Sequence, residues 1–357
     1  MTNLQQRVDF SGQAIYVGMD VHLKSWDVSI FFDQQHLGSF HQPPDTTKLV
    51  GTLKERYPNA DIYCAYEAGF SGYWIQRQLQ GLGLSCIVVN PADVPQTDKD
   101  KKTKTDRGDS KRIGKALQTG LLRPIYIPDQ FTESNRKLVR YRQQLLTDLK
   151  RCKARAKHFL LYQGIHLPDQ YNTGKWSSKL ISWLKELKHE HETSALTLHK
   201  MVAQIESMKQ EVSILNKDIQ RIMAHQAYAD QAKLIQSVPG IGPIITASLL
   251  VEIADIKRFA TFAQFNSFIG FCPGEHSSGE KERKGTITSR HHNALRSLLI
   301  EAAWTAVKKD PALSLAFSYL KKRMTAKRAI IRIARKLLNR IYHVWAKNEN
   351  YENGIVK

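Results

Sequence analysis

Cysteine is scarce and scattered. Cys64, Cys86, Cys152 and Cys272 lie 22, 66 and 120 residues apart, so no CxxC pair offers a zinc or redox site. The thiols read as buried side chains of a reducing compartment. An apolar run long enough to span a membrane is also lacking. Leu234–Val251 runs 18 residues without a charge, but Pro239, Gly240, Gly242 and Pro243 interrupt it, which marks a turn between buried elements. The polar stretch Met1 to Gln13 has no apolar core of a secretory signal, so a cytoplasmic protein is expected. Acids are too few to balance the bases. The 33 Asp and Glu against 53 Lys and Arg leave a formal net charge of +20, as expected of a chain that meets a polyanion, nucleic acid first and an anionic membrane surface second. What is present is ordinary for a folded protein. With 42% hydrophobic and 24% charged residues, 357 residues are enough for two or three domains.

Three patterns follow one another along the chain, giving expected domains at 1–128, 129–229 and 230–357. In the first, Ile15–Asp20, Trp26–Phe32, Ile62–Tyr66 and Leu84–Val89 read as strands. The residues Gln35 to Phe40 pair with Trp26–Phe32 through a turn at Asp33-Gln34, and a helix is expected over Gly72–Gln80. This is an α/β domain with its antiparallel strands first. In the second, strand signals vanish. Leu198, Met201, Ile205, Met208, Val212, Leu215, Ile219 and Ile222 recur at alternating spacings of 3 and 4, the seam of a coiled-coil hairpin or a subunit contact. The third opens with Val238-Pro-Gly-Ile-Gly242, which suits either a plain interhelical turn or a helix-hairpin-helix turn whose amides hold a phosphate, and it continues through helical segments to a basic tail.

The acids of the first domain carry the chemistry. Asp20 ends one strand and Glu67 another, while Asp106 and Asp109 share a helix face near its N-terminus if a helix opens at Asp106. Converging carboxylates need a cation. Two magnesium ions about 4 Å apart are the usual means of activating an attacking oxygen and stabilising a leaving one in phosphodiester chemistry. An oxygen-only set with no His or Cys nearby suits magnesium. Singly, each acid reads as a cap or turn residue. Together, acids at two strand ends followed by a D-x-x-D pair opening a helix give the layout of ribonuclease-H-like nucleases of the RuvC branch.

Six ordered segments, Val17–His22, Tyr66–Gly69, Val89–Pro91, Lys104–Asp109, Val238–Gly242 and Gly270–Gly279, resemble the DEDD transposases of insertion sequences related to the pilin-gene invertase. The resemblance implies an N-terminal RuvC-like domain with Asp20, Glu67, Asp106 and Asp109 as its metal-binding acids, a long helical coiled-coil insert, and a mainly helical C-terminal transposase domain. It also implies a serine that carries a covalent DNA intermediate; by alignment this is Ser278, with Ser277 one residue away. Gly279 beside it would allow close approach of the DNA backbone. A structured guide RNA is a further implied partner. One departure stands out: the segment after the glutamate reads Glu67-Ala-Gly-Phe-Ser-Gly72, longer than the turn usual in relatives.

Two segments carry charge of one sign. Phe131–Leu160 holds nine Lys or Arg and two acids, and Lys321–Lys347 holds ten and none. Solvated helix faces mix signs, so phosphate contacts are expected from Arg140, Arg142, Lys150, Arg151, Lys153, Arg155, Arg328, Arg332 and Arg335, and from Arg283 and Lys284 beside the serine. The sequence therefore points to an insertion-sequence recombinase, a homo-oligomer acting on DNA. The rivals are a metal-only nuclease without a covalent link and a non-catalytic architectural protein, which leaves the four acids unexplained.

Overall fold

The computed structural model describes residues 9–96, 105–278, 281–288 and 291–352. The chain forms two compact units, Met1–Ile127 and Pro128–Lys357. Among the described residues no helix is long and apolar enough to cross a membrane.

The first unit is a five-stranded sheet in the order β3-β2-β1-β4-β5, made of β1 (Ala14–Val21), β2 (Trp26–Phe32), β3 (Gln35–Gln42), β4 (Asp61–Glu67) and β5 (Ser85–Val89). The first three strands are antiparallel; β4 and β5 run parallel to β1. Asp33 and Gln34 make the β2–β3 turn with φ of 45° and 61°, the left-handed pair that matches the twist of a two-residue hairpin. Period-two alternation assigns the faces. Ile15, Val17 and Met19 of β1 join Trp26, Val28 and Ile30 of β2 in one core, covered by α1 (Thr46–Arg56) through Leu49 and Leu53 and by α2 (Trp74–Gly81) through Ile75 and Leu79. Helix α1, capped by Asp45 accepting from the Lys48 amide at 2.9 Å, lies where the sequence reading has no element.

On the opposite face of β1, Gly18 leaves room for a close approach, and α3 (Asp106–Gln118) lies directly on it. A Cβ on Gly18 would come within 2.2 Å of the Ser110 carbonyl oxygen and the Gly114 nitrogen, and one on Gly114 within 2.8 Å of the Phe31 ring. Buried hydroxyls complete the fit: Ser29 Oγ lies 2.8 Å from both Ser110 Oγ and Ser39 Oγ. A small apolar cluster of Ala65, Val89, Val94, Ile113, Ala116 and Leu122 holds the far part of the helix.

The second unit is mostly helical. Its long helices α4 (Gln130–Tyr162) and α6 (Glu192–Met223) pack antiparallel, with Arg142 Nε donating to Asn216 Oδ1 at 2.5 Å and Cys152 Sγ 3.7 Å from Met208 Sδ. With α5 (Ser178–Glu186) they bury Leu149, Ala156, Leu160, Leu184, Leu198, Val202 and Ile205. The seam residues Leu198, Ile205, Leu215 and Ile219 are thus covered within the unit itself. The other end of the pair, at Val139, Ile219 and Met223, belongs to a second core shared with α7 (Ala229–Gln236), α8 (Pro243–Ile253), α9 (Phe262–Ile269), α10 (Asn293–Lys309), α11 (Pro311–Lys321) and α12 (Ala326–Lys347). Residues Pro239–Gly242 form the α7–α8 turn. Gly240, at φ +90°, lies so close to α10 that a Cβ would meet the Ala302 carbonyl oxygen at 2.8 Å. Between α9 and α10 stands an antiparallel hairpin, β6 (Pro273–Ser278) and β7 (Lys281–Ile287).

The backbone contact between β1 and α3 leaves no room for a methyl group. Gly18→Ala is expected to cost at least ~2 kcal/mol of stability by urea unfolding, whereas Gly51→Ala in α1, which meets nothing within 4 Å, is expected to be neutral or to gain about 0.5 kcal/mol.

Candidate active site

Because α3 rests on β1, its N-terminus reaches the end of the sheet where two parallel strands leave their acids. Met19 pairs with Tyr66 in the parallel register, so Asp20 and Glu67 are the next residues along neighbouring strands. Asp106 opens α3, whose cap Thr105 Oγ1 accepts from the Gly108 amide at 3.1 Å, and Asp109 follows on the same helix face.

The acids fall into two pairs, each with a basic group. His22 Nε2 lies 3.1 Å from Asp20 Oδ2 and 3.5 Å from Asp106 Oδ1. One ligating atom from each of these three residues fits within 4.8 Å of the others. Arg112 places Nη1 2.9 Å from Asp109 Oδ1 and Nη2 3.8 Å from Glu67 Oε1. Burial raises the Asp20 carboxyl above the usual carboxylate range; His22 pulls it back, while Asp109 and Asp106 push it up again. Carboxylates gathered closely enough for two of them to raise the affinity of Asp20 for a proton are a donor set that suits a hard divalent cation. The expectation of a set with no histidine nearby is overturned, since His22 sits between two of the acids. Its signal is its place two residues after Asp20, which returns it to the same side of the strand. Arg112, three residues after Asp109, is legible in the same way from helix periodicity.

Residues 17–163, which contain all four acids, match the family model for the DEDD transposase of IS110, described as a transposase. Residues 232–318 match the model described as the transposase IS116/IS110/IS902 family. The chain thus carries transposase domains of the IS110/IS116 kind. The transposase is 29% identical over 244 residues to the y4qE protein of Sinorhizobium fredii, a match spanning 68% of this chain and 58% of that protein. It is 26% identical over 300 residues to the transposase for insertion sequence element IS1533 of Leptospira borgpetersenii, covering 81% and 84% of the two chains. The transposase for insertion sequence element IS1111A of Coxiella burnetii is 26% identical over 305 residues, covering 80% and 78%.

In the transposase, Ser278 is the last residue of β6 and pairs with Lys281; Ser277 pairs with Glu282. Gly279 lies outside the described residues. Arg283 and Lys284 stand in β7 opposite His276 and Glu275. The base of this hairpin is clamped. The Thr288 amide donates to the Cys272 carbonyl at 3.1 Å, and Arg296 Nη1 donates to the carbonyls of Gly270 and Thr288 at 3.3 and 3.2 Å. Close by in sequence, His292 caps α10 by accepting from the Leu295 amide through Nδ1, which leaves Nε2 to donate to Glu252 Oε2 at 3.2 Å. Arg140 meets both Glu252 oxygens at 2.7 Å, and Arg136 donates to the Val251 carbonyl at 2.7 Å. One buried carboxylate thereby ties α4, α8 and the start of α10 together.

The basic residues divide by what they touch. Arg140 and Arg142 are engaged inside the unit, Lys153 lies half-buried 6.0 Å from the Trp176 ring centroid, and Arg155 reaches Cys152 and Gln204. Lys150 is exposed, as is Arg151, which pairs with Asp148 at 3.1 Å. Helix α12 is sharply two-faced. Ile330, Ile333, Leu337, Leu338 and Ile341 are buried, while Arg328, Arg332 and Arg335 point to solvent.

Burial raises the Glu252 carboxyl, but hydrogen bonds from Arg140 and His292 outweigh it and hold it down at about 2, against an ordinary 4.5. A depressed carboxylate contributes its full stability above pH 4.5 and loses it as pH falls toward 2. Glu252→Gln is expected to cost about 3 kcal/mol at neutral pH and to flatten the fall of stability between pH 4.5 and 2, read from urea unfolding at a series of pH values.

Proposed function

We propose that this transposase cuts and rejoins DNA strands with Asp20, Glu67, Asp106 and Asp109 as its metal-binding acids and Ser278 as a nucleophile. The observation that carries the reading is the gathering of all four acids at one end of the sheet, with His22 between one pair and Arg112 between the other. Magnesium, as two ions, is the cation that carboxylate oxygens favour; bound there, it would activate an attacking oxygen and stabilise the leaving one. Asp20 and Asp106, which among the described residues share His22, are the readier ligands. Glu67 and Asp109 hold Arg112, which keeps part of their charge neutral and their carboxylates oriented. Ser278 supplies the bond-exchange step. Its oxygen bonds to the scissile phosphorus as its proton leaves to a base; the bond to the departing strand's oxygen breaks, and that oxygen takes up a proton. The phosphoserine link conserves the energy needed to rejoin strands.

The exposed cations Lys150, Arg151, Arg328, Arg332 and Arg335 support binding of DNA and of a structured guide RNA along α4 and α12. Arg283 and Lys284 place charge on the serine hairpin itself. Holding two DNA ends requires a homo-oligomer, and with the α6 seam already buried, copies would meet through other surfaces than a coiled coil. The acids belong to the first unit and the serine to the second, so each contribution is tested separately.

Asp20→Asn and Asp106→Asn are each expected to lower strand cleavage by about 10³-fold or more while leaving thermal melting and nucleic-acid affinity near wild type. Ser278→Ala is expected to abolish the protein–DNA adduct on denaturing gels together with recombinant product. Normal recombination by both Ser277→Ala and Ser278→Ala would sink the covalent mechanism and leave metal-assisted hydrolysis. Loss in Ser277→Ala alone would move the nucleophile by one residue.

A further inference from the structure

The sheet repeats one arrangement on neighbouring strands. Three residues beyond Asp20 stands Leu23, in the turn that follows β1, and three residues beyond Glu67 stands Phe70, in the turn that follows β4; the parallel pairing of Met19 with Tyr66 puts the two turns after adjacent strands. Both are strongly exposed, Leu23 at 76% and Phe70 at 69%. Each sits at the tip of a closed turn. The His22 amide donates to the Ser25 carbonyl at 3.0 Å around Leu23-Lys24, and the Gly72 amide donates to the Gly69 carbonyl at 3.1 Å around Phe70-Ser71. The second turn is fixed further: Tyr66 Oη donates to the Gly72 carbonyl at 3.0 Å and accepts from the Gln76 amide at 3.3 Å, and Gly72 takes φ +60°.

Scattered apolar residues on a surface mean little. Here two are held on fixed turns at the carboxyl ends of parallel strands, where open α/β sheets bind ligands, and each follows a candidate metal ligand by the same interval. Lys24, exposed beside Leu23, adds a positive charge suited to phosphate. An aromatic ring has one sequence-independent use near a phosphodiester, which is to stack on a base. Resting on the function proposed above, we infer that Phe70 and Leu23 form a rim that grips an unstacked base of the DNA strand lying at the acids, with Lys24 on its phosphate. The longer segment Glu67–Gly72 is then a substrate-positioning turn that presents the ring.

The probe is a short oligothymidylate carrying one central 2-aminopurine, titrated with the full chain in magnesium and read by 2-aminopurine emission. Wild type and Phe70→Trp should quench it at similar protein concentrations. Phe70→Ala should require at least about tenfold more protein, with Leu23→Ala weakened in the same direction and both melting like wild type. Phe70→Ala titrating like wild type overturns the inference. So does an unchanged titration with a lowered sedimentation coefficient of the free protein, which would show that a second copy covers the rim. Full cleavage of element-end DNA by Asp20→Asn would refute the metal-site reading and leave the stacking result standing.

Discussion

The first unit depends on one close approach. Backbone meets backbone where α3 crosses β1, because Gly18 and Gly114 carry no side chains to hold them apart. This is costly in sequence terms, since glycine weakens both strands and helices. It sets the helix at a fixed height over the sheet, and Ser29, Ser39 and Ser110 fill the narrow space with hydroxyls that satisfy one another. The consequence appears about two helical turns away from Gly114. Asp106 comes within reach of the same imidazole nitrogen as Asp20, although 86 positions separate the two acids in sequence. A bulkier contact would lift the helix and part the acids before it unfolded the sheet.

Counter-charge is shared unequally among those acids. Arg112 is nearly buried and answers to Asp109 and Glu67, while His22 answers to Asp20 and Asp106. A guanidinium is always charged and gives fixed donors; an imidazole on an exposed turn is a weaker and more mobile partner. The Glu67–Asp109 side is therefore orientated in advance, and the Asp20–Asp106 side is easier for a cation to claim.

The strands were legible because half-buried strands alternate, and the acids because carboxylates at strand ends have few structural duties. His22 and Arg112 escaped notice for a different reason: their meaning lies in acids brought by other elements, and only the local spacing hints at them. Helix α1 is hard to read from sequence because Thr46–Arg56 has a weak apolar stripe, with Leu49, Val50 and Leu53 its buried apolar residues. The β6–β7 hairpin falls in a polar, glycine-rich run without alternation, and what holds it is supplied from outside, by Arg296 and the Thr288–Cys272 bond. One-sided charge on α4 is visible in the sequence, but not which cations face inward. Arg136 is buried and donates to the Val251 carbonyl 115 positions away.

That inward use changes what a basic helix means in the second unit. The first turns of α4 are locked by Arg136 and Arg140 onto α8, and the same Glu252 receives His292 at the start of α10, just after the serine hairpin. Farther along the same helix, Lys150 and Arg151 remain exposed to solvent. A helix is stiff over this length, so force applied at the exposed cations is delivered to the Glu252 cluster. A buried ion cluster has few intermediate arrangements, because each partner left unpaired costs several kcal/mol. Helix α4 is then a strut to the base of the hairpin that also carries exposed cations, and one strongly basic composition covers both kinds of residue, which sequence alone does not separate.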